Sequence, residues 1–129
     1  MKITVGRLKQ LIREAMAPAP TKRATDLVHA TVDAAESYVD SLIAGSPDKQ
    51  AVEKLKQLSD QTTSLARWMS SHHEKMAPYL TKFASLAQDV TKDVGFWSRP
   101  AFLGRDEYVE KLKSKVRKLQ NAEISVMSN

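Results

Sequence analysis

The sequence predicts an all-α fold: an antiparallel bundle of about four helices preceded by a short detached amphipathic helix. Three observations lead there. Apolar residues recur at three- and four-residue steps in five stretches, the spacing that lines one face of a helix. Glycine and proline are few, 4 and 5 in 129 residues, and the prolines cluster at the boundaries of those stretches. No stretch alternates apolar and polar residues as a half-buried strand would. The organisation that follows is an amphipathic helix at 1–16, a Pro-rich linker at 17–23, a helical domain at 24–121 and a tail at 122–129.

Thr4 suits the N-cap of the expected N-terminal helix. Val5, Leu8, Leu11, Ile12 and Met16 form its apolar stripe, the surface that would dock on a partner. Lys2, Arg7, Lys9, Gln10 and Arg13 fill the other side. A helix this short is marginal alone in water, so it should order mainly on docking. Pro18 and Pro20 then disfavour continuation, because each lacks an amide donor and pushes its predecessor into extended geometry.

The first bundle helix is expected to open at Thr25 or Asp26 and run to about Ala44. Leu27, Thr31, Ala34, Ala35, Tyr38, Val39 and Leu42 make its buried face, widened by Val28, Val32 and Ile43. Gly45 ends it, Ser46 caps the next helix and Pro47 takes that helix's first position. The second bundle helix, 47–71, carries a near-heptad seam of Val52, Leu55, Leu58, Thr62, Leu65 and Met69, flanked by Trp68. Pro78 suits the first turn of the third, with a stripe of Met76, Tyr79, Leu80, Phe83, Leu86, Ala87, Val90 and Val94. One long helix kinked at Pro78 is the rival reading. A loop from Gly95 to Gly104 leads to the fourth helix, from about Arg105 to Asn121, with Tyr108, Val109, Leu112, Val116 and Leu119 facing inward.

Composition narrows the chemistry. There is no cysteine, which excludes disulfides, thiolate metal sites and thiol nucleophiles. No apolar run is long enough to span a membrane. Arg7, Lys9 and Arg13 interrupt any apolar core that a secretory signal would need. The net charge is +5. Lys2, Arg7, Lys9 and Arg13 against Glu14 give residues 1–14 a net +3, leaving +2 for the remainder. A domain at +2 is not a nucleic-acid binder on charge alone.

Ile12-Arg13-Glu14-Ala15 follows the basic helix directly. It resembles the processing site of the prohead protease of T-even-like, contractile-tailed phages: Leu or Ile, any residue, Glu, then a cut before Ala or Gly. The resemblance covers residues 1–15 only, and Ile12, Glu14 and Ala15 carry it. It implies a capsid-targeting peptide that carries an internal head protein into the assembling prohead and is cut off after Glu14. The implied partners are prohead scaffold or capsid proteins and the prohead protease. The implied location is the phage head interior, with the host cytoplasm before assembly or after ejection. The mature body would then bind DNA weakly or inhibit a host protein. This tag departs from some targeting peptides in being strongly basic, so its docking surface should be acidic. Two other readings compete: a first helix that packs on the bundle, and a mitochondrial-type presequence, against which Glu14 weighs. The competing functional class is a cytosolic helical protein–protein interaction module whose N-terminal helix docks on a partner.

Other candidates are weaker. His72 and His73 are adjacent and diverge on a helix, unlike an i, i+4 metal pair. Asp33, Glu36 and Asp40 read as a solvated face. With no phosphate loop or nucleophile elbow, the expectation is a protein without catalytic residues, metal or cofactor. Lys111, Lys115 and Lys118 share one face at i, i+4, i+7 and are possible contacts to a phosphate backbone, against a solvated face as the alternative. Phe96, Trp97, Arg99 and Phe102 make a possible partner-binding loop, against a plug for one end of the bundle.

Overall fold

The computed structural model describes residues 20–97 and 105–128. They form four helices: α1 (Pro20–Ile43), α2 (Lys49–Ser71), α3 (Ala77–Trp97) and α4 (Arg105–Met127). The all-α bundle is thus as the sequence predicts. The amphipathic stretch 1–16 lies outside the described residues, as does the segment 98–104.

The helix ends show why the chain breaks where it does. α1 begins at Pro20, earlier than expected, so Thr21, Lys22 and Arg23 belong to the helix and not to the linker. Proline is compatible with a first helical turn, where its missing N–H has no partner to lose. The helix ends in a Schellman turn: Gly45 takes φ 84°, its N–H donates to Leu42 O at 3.1 Å, and Ser46 N–H donates to Ser41 O at 3.0 Å. The cap of α2 is Asp48, not Ser46, and Pro47 lies outside the helix. Asp48 Oδ1 accepts from Gln50 N–H at 2.9 Å and from Ala51 N–H at 3.3 Å. A carboxylate caps the positive end of the helix dipole as well as accepting hydrogen bonds, which gives it the advantage over serine here.

The rival single helix across Pro78 is excluded. α2 closes in a second Schellman turn, with His73 at φ 52°, His73 N–H on Ser70 O at 3.2 Å and Glu74 N–H on Met69 O at 3.0 Å. Pro78 then sits in the first turn of α3, as expected. At the far end of α3 the expected loop does not begin at Gly95, because the helix continues to Trp97. Glycine in a helix costs only about 1 kcal/mol, and Val90 and Val94 dock that last stretch in the core.

The expected tail is also helical, up to Met127. Ala122 and Val126 are buried, extending the inward stripe from Leu119 by steps of three and four.

Each helix packs on its neighbours in sequence, and α4 closes the ring on α1. The diagonal pair α1–α3 meets only lightly, as expected of an antiparallel square bundle. The interior is filled by Val28, Tyr38, Leu55, Met69, Leu80, Phe83, Leu112, Leu119 and Val126. Two fully buried threonines are accommodated by hydrogen bonds to the preceding turn: Thr31 Oγ1 donates to Leu27 O at 2.6 Å and Thr62 Oγ1 to Leu58 O at 2.7 Å. Two residues expected in the core are exposed, Ile43 at the end of α1 and Tyr79, which is 40% exposed, and four more, Leu27, Val52, Leu58 and Leu86, are only half-buried at its edge. Among the described residues no helix is long and apolar enough to cross a membrane.

Candidate functional site: the groove between α3 and α4

Helices α3 and α4 run antiparallel, so the start of α3 lies beside the end of α4. There they enclose a groove of about 540 Å³. From α3 come Pro78, Tyr79, Lys82 and Leu86, spaced to share one face. From α4 come Lys118, Asn121, Ala122 and Ser125, at i, i+3, i+4 and i+7. The apolar contribution is the Tyr79 ring, Pro78, Leu86 and Ala122; Lys82 and Lys118 bring a cation from each helix. Both lysines are exposed, and no ion pair among the described residues engages either of them.

Further along the same helix pair the charges are satisfied. Lys115 Nζ lies 2.6 Å from Asp93 Oδ2, with both side chains mostly covered. Of the three lysines expected to form a phosphate track, Lys115 is therefore committed to an interhelical ion pair, while Lys111 and Lys118 are exposed. The Lys115–Asp93 pair thus lies between the two exposed lysines of that face.

Two other grooves differ in chemistry. The one between α1 and α4, about 470 Å³, carries Glu36 and Asp40 together with Lys113 and Arg117, so its charge is balanced internally. The one between α2 and α3, about 440 Å³, is lined by small and polar groups such as Thr63, Ser70, Ser85 and Gln88, with Arg67 its single cation.

Polar contacts also tie α1 to α4. Gln120 Nε2 donates to Glu36 Oε1 at 2.6 Å. His29 Nε2 lies 3.4 Å from Asp33 Oδ2, and its Nδ1 lies 3.9 Å from Glu123 Oε2. Burial raises the Glu123 carboxyl above its ordinary range; His29 opposes that shift, and the charges of Asp33 and Glu36 add to it. Deeper in the bundle, burial holds the Tyr108 hydroxyl well above the ordinary tyrosine range, with the neighbouring Tyr38 hydroxyl and the charge of Asp93 adding to the effect.

The histidines at the α2 terminus have a structural place. The His72 ring stacks on Trp68 with centroids 4.0 Å apart, and His72 Nδ1 lies 2.8 Å from Trp68 O. Among the described residues no group of three His, Cys, Asp or Glu could hold a metal ion.

The remaining sequence candidates fall largely beyond what is described. Val5, Leu8, Leu11, Ile12, Glu14, Ala15 and Met16 lie outside the described residues, as do Arg99 and Phe102. Phe96 and Trp97 close α3 and do not belong to a loop, which corrects their expected setting.

The groove itself was missed in the sequence. Tyr79 and Leu86 fit the inward stripe of α3, and the spacing within that stripe does not single out Lys82 between them. Ending α4 at Asn121 removed Ala122 and Ser125, the residues that face the start of α3. The available signal was the continuing step from Leu119 through Ala122 to Val126. Comparison with known families, curated proteins and solved structures finds no match to this chain.

Proposed function

We propose that this chain is a non-enzymatic internal protein of a phage head, carried into the prohead by residues 1–14 and cut between Glu14 and Ala15. One observation carries the reading: Ile12-Arg13-Glu14 stands before Ala15 at the end of a basic amphipathic stretch, upstream of the bundle. The architecture supports it in a specific way. Ala24 is the first buried residue described, and the ring of four helices closes on itself from α1 to α4. Cleavage after Glu14 therefore leaves every one of those helices intact. In this reading the stripe of Val5, Leu8, Leu11, Ile12 and Met16 docks on an acidic scaffold or capsid surface. The mature bundle then acts by binding, either weakly to DNA through cations such as Lys111 and Lys118 or to a host protein.

Digestion of the purified full chain with the prohead protease of the same phage tests this. A single cut between Glu14 and Ala15 is expected, lost in both Ile12→Ala and Glu14→Gln. Resistance of the wild-type chain, or cutting that ignores both substitutions, contradicts it.

A second reading, a helical interaction module, is favoured by the groove beside Tyr79 and Lys82. In that case the N-terminal helix stays attached and engages a partner. Recovery of a cellular complex that contains the uncut chain distinguishes it.

A further inference from the structure

We propose that the α3–α4 groove docks an acidic amphipathic helix of a partner protein. The inference does not depend on removal of residues 1–14, because it rests on the described bundle alone. Leu86, Ala122 and the 40% exposed Tyr79 offer an apolar floor. Lys82 and Lys118 stand on opposite helices with no carboxylate partner among the described residues. A helix laid between them would bury its apolar side chains on the floor and present carboxylates to both cations, the helix-in-groove mode of recognition.

The groove also has a limit. The ion pair of Lys115 and Asp93 bridges α3 and α4 above Leu86. The lining on α3 runs from Pro78 to Leu86, a rise of roughly 12 Å at 1.5 Å per residue, so the floor spans about two turns of a docked helix.

Charge selects among the occupants. The chain's own residues 1–14 carry a net +3 and would be repelled by Lys82 and Lys118. A second copy would bring the acids Asp26 and Asp33 of α1, but among the described residues the only exposed large apolar side chain on α1 is Ile43, at its far end. Such a face cannot cover the floor. A single nucleic-acid strand would find only two free cations there and leave Leu86 and Ala122 against its charged backbone. An acidic helix with an apolar stripe satisfies both requirements.

The test uses the full chain and three fluorescent probes. One is a helical peptide of about 14 residues with Leu on one face and Glu beside it; the second replaces Glu by Lys; the third is an oligothymidine. Fluorescence anisotropy should show binding of the Glu peptide and little of the Lys peptide. In Lys82→Glu/Lys118→Glu the Glu peptide should bind about tenfold more weakly or worse, while the Lys peptide gains. Both substituted positions are exposed, so circular dichroism should show an unchanged helical content. Amide shifts on peptide addition should concentrate at Tyr79, Lys82, Leu86, Ala122 and Ser125. Equal binding of the two peptides, indifference to the double substitution, or no Glu-peptide binding up to about 1 mM overturns the proposal. So does tighter oligothymidine binding that is lost in the double variant, or a dimer of the chain that this variant dissociates.

Discussion

Lys115 Nζ lies 2.6 Å from Asp93 Oδ2, joining α4 to α3 at a point where both side chains are mostly withdrawn from water. Removing the cation would leave a largely covered carboxylate without its counter-charge. Lys115→Met should therefore destabilise the bundle by about 1–3 kcal/mol in urea unfolding. Lys111→Met and Lys118→Met, at exposed positions on the same helix, should each change stability by no more than about 0.5 kcal/mol. Similar effects at all three positions would mean that the Asp93 contact contributes nothing.

His73 occupies the left-handed position of the α2 terminal turn at φ 52°. A side chain with a Cβ carries a conformational cost there that glycine avoids. Glycine also brings a more flexible unfolded chain, which offsets part of the gain. His73→Gly should stabilise the protein by about 0.5–1 kcal/mol, a difference that chemical denaturation can read.

The last turns of α4 belong to the core and are not a tail. Val126 is fully buried, whereas Ile124, two residues earlier, is 63% exposed. Val126→Ala should cost about 1–3 kcal/mol and Ile124→Ala no more than about 0.5 kcal/mol. If both substitutions are silent, the helix beyond Asn121 does not contribute to folding.

Glu123 gives the bundle a predictable pH dependence. Its carboxyl is raised above the ordinary 4.5, first by burial and then by the charges of Asp33 and Glu36, with His29 opposing. A group raised on folding favours the native state at pH values below its unfolded value. That contribution disappears as pH rises through the folded value, where the native state must hold a poorly solvated carboxylate. Glu123→Gln should raise the melting temperature at pH 7 relative to the parent, and by less at pH 4. An equal gain at both pH values would show that ionisation of Glu123 is not the cause.

Much of the bundle was legible because apolar spacing reports burial directly. Val28, Leu55, Phe83 and Leu112 all lie where the stripes place them. Helix termini were less legible, since Ser46, Pro47 and Asp48 all suit the start of a helix and only geometry selects Asp48. Gly95 misled for a related reason: its intrinsic cost in a helix is smaller than what the packing of Val90 and Val94 supplies. The groove depends on which residue of α3 stands beside which residue of α4, a long-range register that periodicity within one helix does not contain. Lys118 was visible in the sequence, but its pairing with Lys82 across the groove was not. The same holds for Lys115, whose helical face was correct but whose partner Asp93 lies on another helix.

The N-terminal boundary of the protein inside purified phage particles tests the central claim most directly. Intact-mass spectrometry should find a chain that begins at Ala15, with Met1–Glu14 removed. A chain in the particle that still begins at Met1 would contradict the account.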